Sequence, residues 1–308
     1  MRIAILGATS QIAGDLIQSL CSAGGCELYL YARRPSSVIS PVNIQSRALI
    51  KHVGDYDSFG LDFKFDALIN FVGAGNPAAV TKMGADIFDV TWKFDQLALN
   101  YIRKNSRCRY IFLSSGSAYG SDFDRPVLIE STSKIPINNL TQQDWYGAAK
   151  LHAECRHRSY KDLPIIDFRV FNYFSASQDI KSNFLISDII RSIRDKVIFK
   201  TTSVNIYRDY LHPHDFLNLV LSVLSSPPAN SVIDCYSRAP VDKLSLLKFM
   251  QDRFELNFEL IATNSIVNST GIKPNYYSLN KKAEKFGYLP TLTSLEGVSL
   301  ESEIILNR

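Results

Sequence analysis

Tyr146 and Lys150, with Ser115 as a third member, have the types and spacing for general acid or base work. Tyr146 and Lys150 stand four apart in DWYGAAKLHAE. On a helix that spacing puts them on one face, one turn apart. An ammonium beside a phenol favours the phenolate, which predicts a Tyr146 pKa lowered toward the range of a general acid or base. Chance Tyr-x-x-x-Lys pairs are common on helices. This one gains weight from Ser115 in FLSSGSAYG, at the carboxyl end of a predicted strand. In an open parallel sheet ligands collect outside the carboxyl ends of the strands, where such a strand and helix can converge.

The elements that must position them follow a strand–turn–helix rhythm. RIAIL (2–6) is a continuous apolar run bounded by Gly7, which predicts a strand buried on both faces. Ile12, Leu16, Ile17 and Leu20 fall at helical spacing, and Gly24-Gly25 stops that helix. Further strands are predicted at 27–32, 42–50, 65–75, 109–120 and 164–174. Helices are predicted at 80–104 and from Tyr146 to about Tyr160. Alternation of this kind predicts an α/β chain with a Rossmann-type, doubly wound parallel sheet. After about 175 the rhythm loosens. Helices fit 183–194, 214–225, 243–254 and 278–286, with short strands near 197–207 and at 231–236. The expected organisation is a nucleotide-binding domain over 1–174, with 206–236 contributing a strand and a helix back to it. Residues 175–308 would form a smaller α/β substrate-binding region built from insertions and the tail, not a separate bead.

At the amino-terminal turn, GATSQIAGDL occupies the place of a glycine-rich loop that meets a pyrophosphate. Gly7 supplies the tight turn. Ser10 stands where a second glycine would allow close approach, and Ala13, followed by Gly14, replaces the third. Gly7, Thr9, Ser10, Gln11 and Ile12 form the expected phosphate-facing set, with the Ser10 backbone and hydroxyl aimed at the pyrophosphate. The second strand ends in Tyr31-Ala32-Arg33-Arg34 without the carboxylate that would accept from a ribose 2′-hydroxyl. Arginines there offer planar donors to a 2′-phosphate, so NADP(H) is favoured, with NAD(H) the alternative. Asp55 in GDYDSF is placed to reach an adenine, although Asp in a turn also serves the turn itself.

Composition narrows the remaining classes. The 308 residues carry a net charge of +4 with no Lys/Arg run, which gives no electrostatic case for nucleic acid. No apolar stretch has the length of a membrane span or a signal peptide. The five cysteines are odd in number and scattered, without metal-ligand spacing, and read as reduced thiols of a cytoplasmic protein.

The order of the pieces carries a resemblance. The glycine loop at 7–14, the strand leading into SSGSAYG, YGAAK at 146–150, FRVFNYF at 168–174, IYRDYLHPHDF at 206–216 and LNKKAEKFGYLPTLTSLEGV at 279–298 follow one another along almost the whole chain. In this the chain resembles the extended short-chain dehydrogenases/reductases of the nucleotide-sugar epimerase/dehydratase family. The resemblance implies Ser115 as the serine that hydrogen-bonds the reacting oxygen. It implies Tyr146 as proton donor or acceptor, and Lys150 as the residue holding the nicotinamide ribose. Asn172 would face the substrate and Arg208 would meet the nucleotide diphosphate. Without the family, Asn172 is a turn residue and Arg208-Asp209 a local ion pair. A homodimer is implied through helices at about 82–104 and 146–160, with Trp92, Leu97 and Tyr101 as candidate contacts. Gly116 and Ser117 occupy the positions of the Asp-Glu pair that drives loss of water in the family's dehydratases, which argues against dehydration. The leading expectation is an NADP(H)-dependent 4-keto reductase of a nucleotide sugar. The alternatives are a 4-epimerase with the same triad, a reductase of a non-sugar carbonyl, and a non-catalytic dinucleotide-binding regulator.

Overall fold

A computed structural model describes residues 1–38, 48–74, 77–262 and 273–307. In chain order the elements are β1 (Arg2–Leu6), α1 (Gln11–Ala23), β2 (Glu27–Tyr31), β3 (Ile50–Gly54), β4 (Ala67–Asn70), α2 (Pro77–Met83), α3 (Asp86–Lys104), β5 (Arg109–Ser115), α4 (Gln142–Ser159), β6 (Ile165–Val170) and β7 (Asn172–Tyr173). There follow α5 (Leu185–Arg194), β8 (Phe199–Thr202), β9 (Tyr207–Arg208), β10 (Tyr210–Leu211), α6 (Pro213–Ser225), β11 (Ser231–Cys235), β12 (Val241–Asp242), α7 (Lys243–Phe254), β13 (Phe258–Ile261), β14 (Asn275–Tyr276) and α8 (Ser294–Leu306).

Seven strands form one parallel sheet in the order β11-β6-β5-β4-β1-β2-β3. Strand order reverses between β1 and β4, which opens a crevice at the carboxyl ends of these strands. Both faces of the sheet are covered, and this is why the central strands β1 and β4 read as nearly unbroken apolar runs. On one face Ile3, Ile5 and Phe168 pack against Leu16 and Leu20 of α1 and Phe216 and Leu219 of α6. On the other Ala4, Leu6, Leu68 and Phe112 meet Leu99 and Ile102 of α3 and Ala153 of α4. A further cluster joins α5, α7 and α8 through Ile189, Leu247, Met250 and Val298.

Several boundaries differ from expectation for identifiable reasons. Of the strand expected at 42–50, residues 42–47 lie outside the described residues, and β3 runs from Ile50 to Gly54. The helix expected at 80–104 is two helices, separated at Gly84-Ala85. The strand expected over 164–174 splits, because Asn172 and Tyr173 leave the large sheet to pair with Tyr210 and Leu211. The segment expected as a helix over 278–286 holds only a 3-10 turn at Lys282–Phe286. α8 was not anticipated, although Thr293 and Glu296 form a reciprocal capping box at its start. All five cysteines are free, and no helix among the described residues is long and apolar enough to cross a membrane.

Candidate active site

Gly7 holds the turn after β1 at φ +77, and a Cβ there would lie 2.9 Å from the backbone of Phe71 and Val72 at the end of β4. The helix that follows leaves its first amides to be satisfied. Ser10 caps α1: its amide donates to the Gly7 carbonyl at 2.9 Å, and its Oγ accepts from the Ala13 amide at 3.4 Å. The Ser10 amide is therefore spent inside the turn, which corrects the expectation that it faces a pyrophosphate. The amides left without an acceptor among the described residues are those of Gln11 and Ile12, at the positive end of the helix dipole. The Gln11 side chain turns away to donate to Ser175 Oγ at 3.0 Å, and Thr9 is exposed beside the loop. Ala13 is fully buried, so the helix packs closely on the sheet without the third glycine.

Arg33 and Arg34 are exposed after β2 and have no carboxylate partner among the described residues. Tyr56, whose ring packs on Phe94 at 4.4 Å, reaches the backbone of Gly7 and feels the Arg33 charge. Asp55 Oδ1 accepts from the Ser58 amide at 3.0 Å. Its carboxylate thus serves its own turn, with an exposed side chain.

The second half of the site is built where α4 crosses the end of β5. Gly147 permits this, because a Cβ there would lie 2.3 Å from the Ser117 carbonyl oxygen. The close approach places Tyr146 beside Ser115. Burial raises the Tyr146 pKa, Tyr276 adds to the rise, and the Ser115 hydroxyl opposes it. The Lys150 ammonium donates to the Leu113 carbonyl at 2.7 Å and lies 4.5 Å above the Phe112 ring. From the Tyr146 ring centroid it is 5.8 Å away. The expected lowering of Tyr146 by Lys150 is thus not what the structure shows, since desolvation prevails and holds the phenol protonated. Burial pulls Lys150 itself down to about 8, against the carboxylates of Asp95, Glu154 and Asp167.

Tyr276 of β14 completes this wall, and sequence reasoning missed it. Its hydroxyl lies 3.3 Å from Ser115 Oγ and 3.1 Å from Ser117 Oγ, with Phe123 and Phe171 against its ring. No spacing links it to Tyr146; the β14–β9 pairing and backbone hydrogen bonds to Phe123 and Val127 bring it in. Asn172 Nδ2 donates to the carbonyls of Asp209 at 3.3 Å and Tyr276 at 3.5 Å. Arg208 donates to the carbonyls of Tyr207 and Lys273 at 2.8 and 2.7 Å. Its guanidinium lies 6.0 Å from the Tyr276 ring centroid. The plain Arg208–Asp209 ion pair does not form, because the Asp209 carboxylate accepts from the Ser237 amide and the Ser294 hydroxyl, each at 3.0 Å. Arg208 therefore keeps its charge uncompensated among the described residues. At position 116 an acid has no room: a Cβ would lie 2.5 Å from the buried ring of Phe171.

Beneath the site lies a buried charge network. Glu154, one turn beyond Lys150, accepts from Ser114 Oγ at 2.5 Å and from Arg169 Nη2 at 2.5 Å. His157 bridges Asp167 at 2.6 Å and Asp95 at 2.7 Å, joining α4 to β6 and α3. Burial opposes a charged imidazole here, but the two carboxylates outweigh it and raise His157 to about 9. That lies above the ordinary value of about 6.5, so the stabilisation is complete below about pH 6.5 and is lost as pH rises through 9. Melting curves are expected to show Tm falling between pH 7 and 9.5, with a shallower fall in His157→Gln. Equal slopes would remove His157 as the cause.

Of the proposed dimer contacts, Tyr101 is a core residue whose hydroxyl accepts from the Phe65 amide at 2.8 Å. Leu97 packs on the same cluster, while Trp92 is 50% exposed on α3.

A family model described as the NAD dependent epimerase/dehydratase family matches residues 3–234. No curated protein matches the chain. Among solved structures, UDP-glucuronic acid 4-epimerase from Bacillus cereus, in complex with UDP-glucuronic acid and NAD, is 17% identical, with 100% of this chain and 99% of that chain covered and a TM-score of 0.77. dTDP-glucose 4,6-dehydratase from Bacillus anthracis, in complex with NAD, is 14% identical over 100% and 97% of the two chains, with a TM-score of 0.77. UDP-glucose 4-epimerase from Thermotoga maritima, with UDP-glucose, is 16% identical over 100% and 99%, again at 0.77. At these identities the structures establish the fold, and the sequence model adds the lineage: the chain belongs to the NAD dependent epimerase/dehydratase family.

Proposed function

We propose that the chain is a nicotinamide-dependent oxidoreductase acting on a nucleotide-linked sugar, with reduction of a 4-keto group as its reaction. The observation that carries this reading is the convergence of Ser115, a protonated Tyr146 and Lys150 outside the carboxyl ends of β4 and β5, with the uncompensated Arg208 nearby. A bound nicotinamide would supply hydride to the sugar carbon. Tyr146 then gives its proton to the forming alkoxide, and Ser115 donates a hydrogen bond to the same oxygen. Lys150 orients the nicotinamide ribose from its place against the β4 exit, where its ammonium is 3.5 Å from the Cβ position of Gly73. Arg208 reads the diphosphate with its planar fork. Asn172 positions the sugar, and the outer faces of α3 and α4 pair two copies of the chain.

The cofactor loop fits this group. The free amides of Gln11 and Ile12 suit a pyrophosphate, and Gly7 allows the approach. With no acid at the end of β2 and two unpaired arginines there, NADP(H) is favoured over NAD(H). Arg33→Glu is expected to weaken NADPH binding by about tenfold or more, with NADH little changed, as followed by nicotinamide fluorescence. Equal losses for both cofactors would sink the NADP(H) assignment.

A 4-epimerase would use the same three side chains, and turnover separates the two. With a 4-keto nucleotide sugar, a reductase consumes one NADPH per product. An epimerase interconverts UDP-glucose and UDP-galactose with no net cofactor consumed. Epimerisation without NADPH oxidation would replace the reductase reading, and cofactor binding without either reaction would leave a regulator.

A further inference from the structure

On the α4 side of the sheet, a cavity of about 330 Å³ lies over the edge strand β11, walled by Ser131 and Ser133, the 3-10 turn at Lys282–Phe286, and Arg169. None of Ser115, Tyr146, Lys150, Asn172 or Arg208 lines it. Its charges do not balance. Arg169 is paired with Glu154, and Arg158, outside the wall but close enough for its charge to act on Lys282, gives one nitrogen to Asp167 at 2.8 Å. The remaining Arg158 nitrogens, Nε and Nη1, are buried with no acceptor. Lys282 and Lys285 have no carboxylate partner among the described residues. The one acid that lines the wall, Asp234, accepts from Tyr119 at 3.0 Å and Ser278 at 2.6 Å and offsets one of the two lysine charges, so a positive surplus remains.

Positive groups gathered in a half-enclosed space repel one another unless an anion joins them. Lys282 registers this: burial lowers its pKa, Arg158, Lys285 and Arg169 lower it further, and Asp234 opposes them only in part. A phosphoryl group matches the donor set, because its several oxygens can take two ammonium charges and serine hydroxyls together. We propose that this cavity is an anion site for a phosphoryl group, free or carried by a small monoester, held by Lys282 and Lys285 with Ser131 and Ser133. It is independent of the cofactor and of the reaction at Tyr146.

The test uses the intact chain and two probes, inorganic phosphate and glucose 1-phosphate, with sodium chloride at equal ionic strength as control. Phosphate is expected to raise Tm saturably beyond chloride. In Lys282→Gln/Lys285→Gln the half-saturating concentration should rise by about tenfold or more, while Arg208→Gln leaves it unchanged. Lys285→Glu, at an exposed position, serves as a second variant and should weaken the shift at least as much; far-UV circular dichroism reports that each variant is folded. Tighter binding of glucose 1-phosphate identifies a monoester as the ligand, and equal or weaker binding identifies free phosphate. The proposal fails if phosphate acts no differently from chloride. It also fails if the lysine variants keep the shift or if Arg208→Gln alone removes it.

Discussion

Replacing Tyr146 by phenylalanine is expected to lower kcat by about 10²- to 10⁴-fold, the range for loss of a positioned proton donor, with little change in cofactor affinity. The ring would still fill its place beside Ser115, so the loss would belong to the hydroxyl. Since burial holds that hydroxyl protonated, it is poised as an acid, and reduction should proceed across neutral pH without first charging the group. The basic limb of the pH–rate profile should instead follow Lys150, which burial brings down to about 8. Loss of its proton removes the ammonium that orients the nicotinamide ribose, so the rate should fall as pH rises through that value. Single-turnover measurements on a keto-sugar nucleotide, with NADPH absorbance as readout, separate chemistry from binding. A Tyr146→Phe variant with unchanged single-turnover rate would end the proposed mechanism.

The sheet was legible because two-sided burial writes itself as apolar runs, as in RIAIL, and because Gly7 marks the first exit. The convergence of Ser115 with Tyr146 and Lys150 followed from the rule that open sheets work at their carboxyl ends. What escaped was decided by side-chain direction or by distant pairing. The effect of Lys150 on Tyr146 could not be read from their spacing, because the ammonium turns to the Leu113 carbonyl. The Ser10 amide goes to the Gly7 carbonyl and its Oγ caps α1 at the Ala13 amide, roles that depend on the local turn and not on its place in the motif. Tyr276 enters through a two-residue strand that pairs with β9, a contact no periodicity encodes. α8 did have a signal, the Thr293-x-x-Glu296 box, obscured by Glu301 and Ser302 on its buried face. Arg169 carried a signal too. A charged residue inside FRVFNYF, in a strand buried on both faces, must have a buried partner.

That partner, Glu154, sets the largest expected effect on stability. Glu154→Ala would leave the Arg169 guanidinium buried without its carboxylate and strand the Ser114 hydroxyl as well. Breaking a buried pair from one side typically costs about 3–5 kcal/mol, which for a chain of this size lowers Tm on the order of 10 °C. The loss should also reach the site, because Ser114 precedes Ser115 on β5 and Glu154 follows Lys150 on α4. One carboxylate thus fixes the strand end against the helix that carries the proton donor. Truncating it is expected to reduce turnover even at temperatures where the variant is fully folded. A double-mutant cycle separates the pair from the shape of the site. Glu154→Leu/Arg169→Leu removes both charges and should be more stable than Glu154→Leu alone, since no orphaned charge remains. Strictly additive losses in urea unfolding would mean that the two side chains contribute independently. The ion pair would then not be what locks α4 to the sheet.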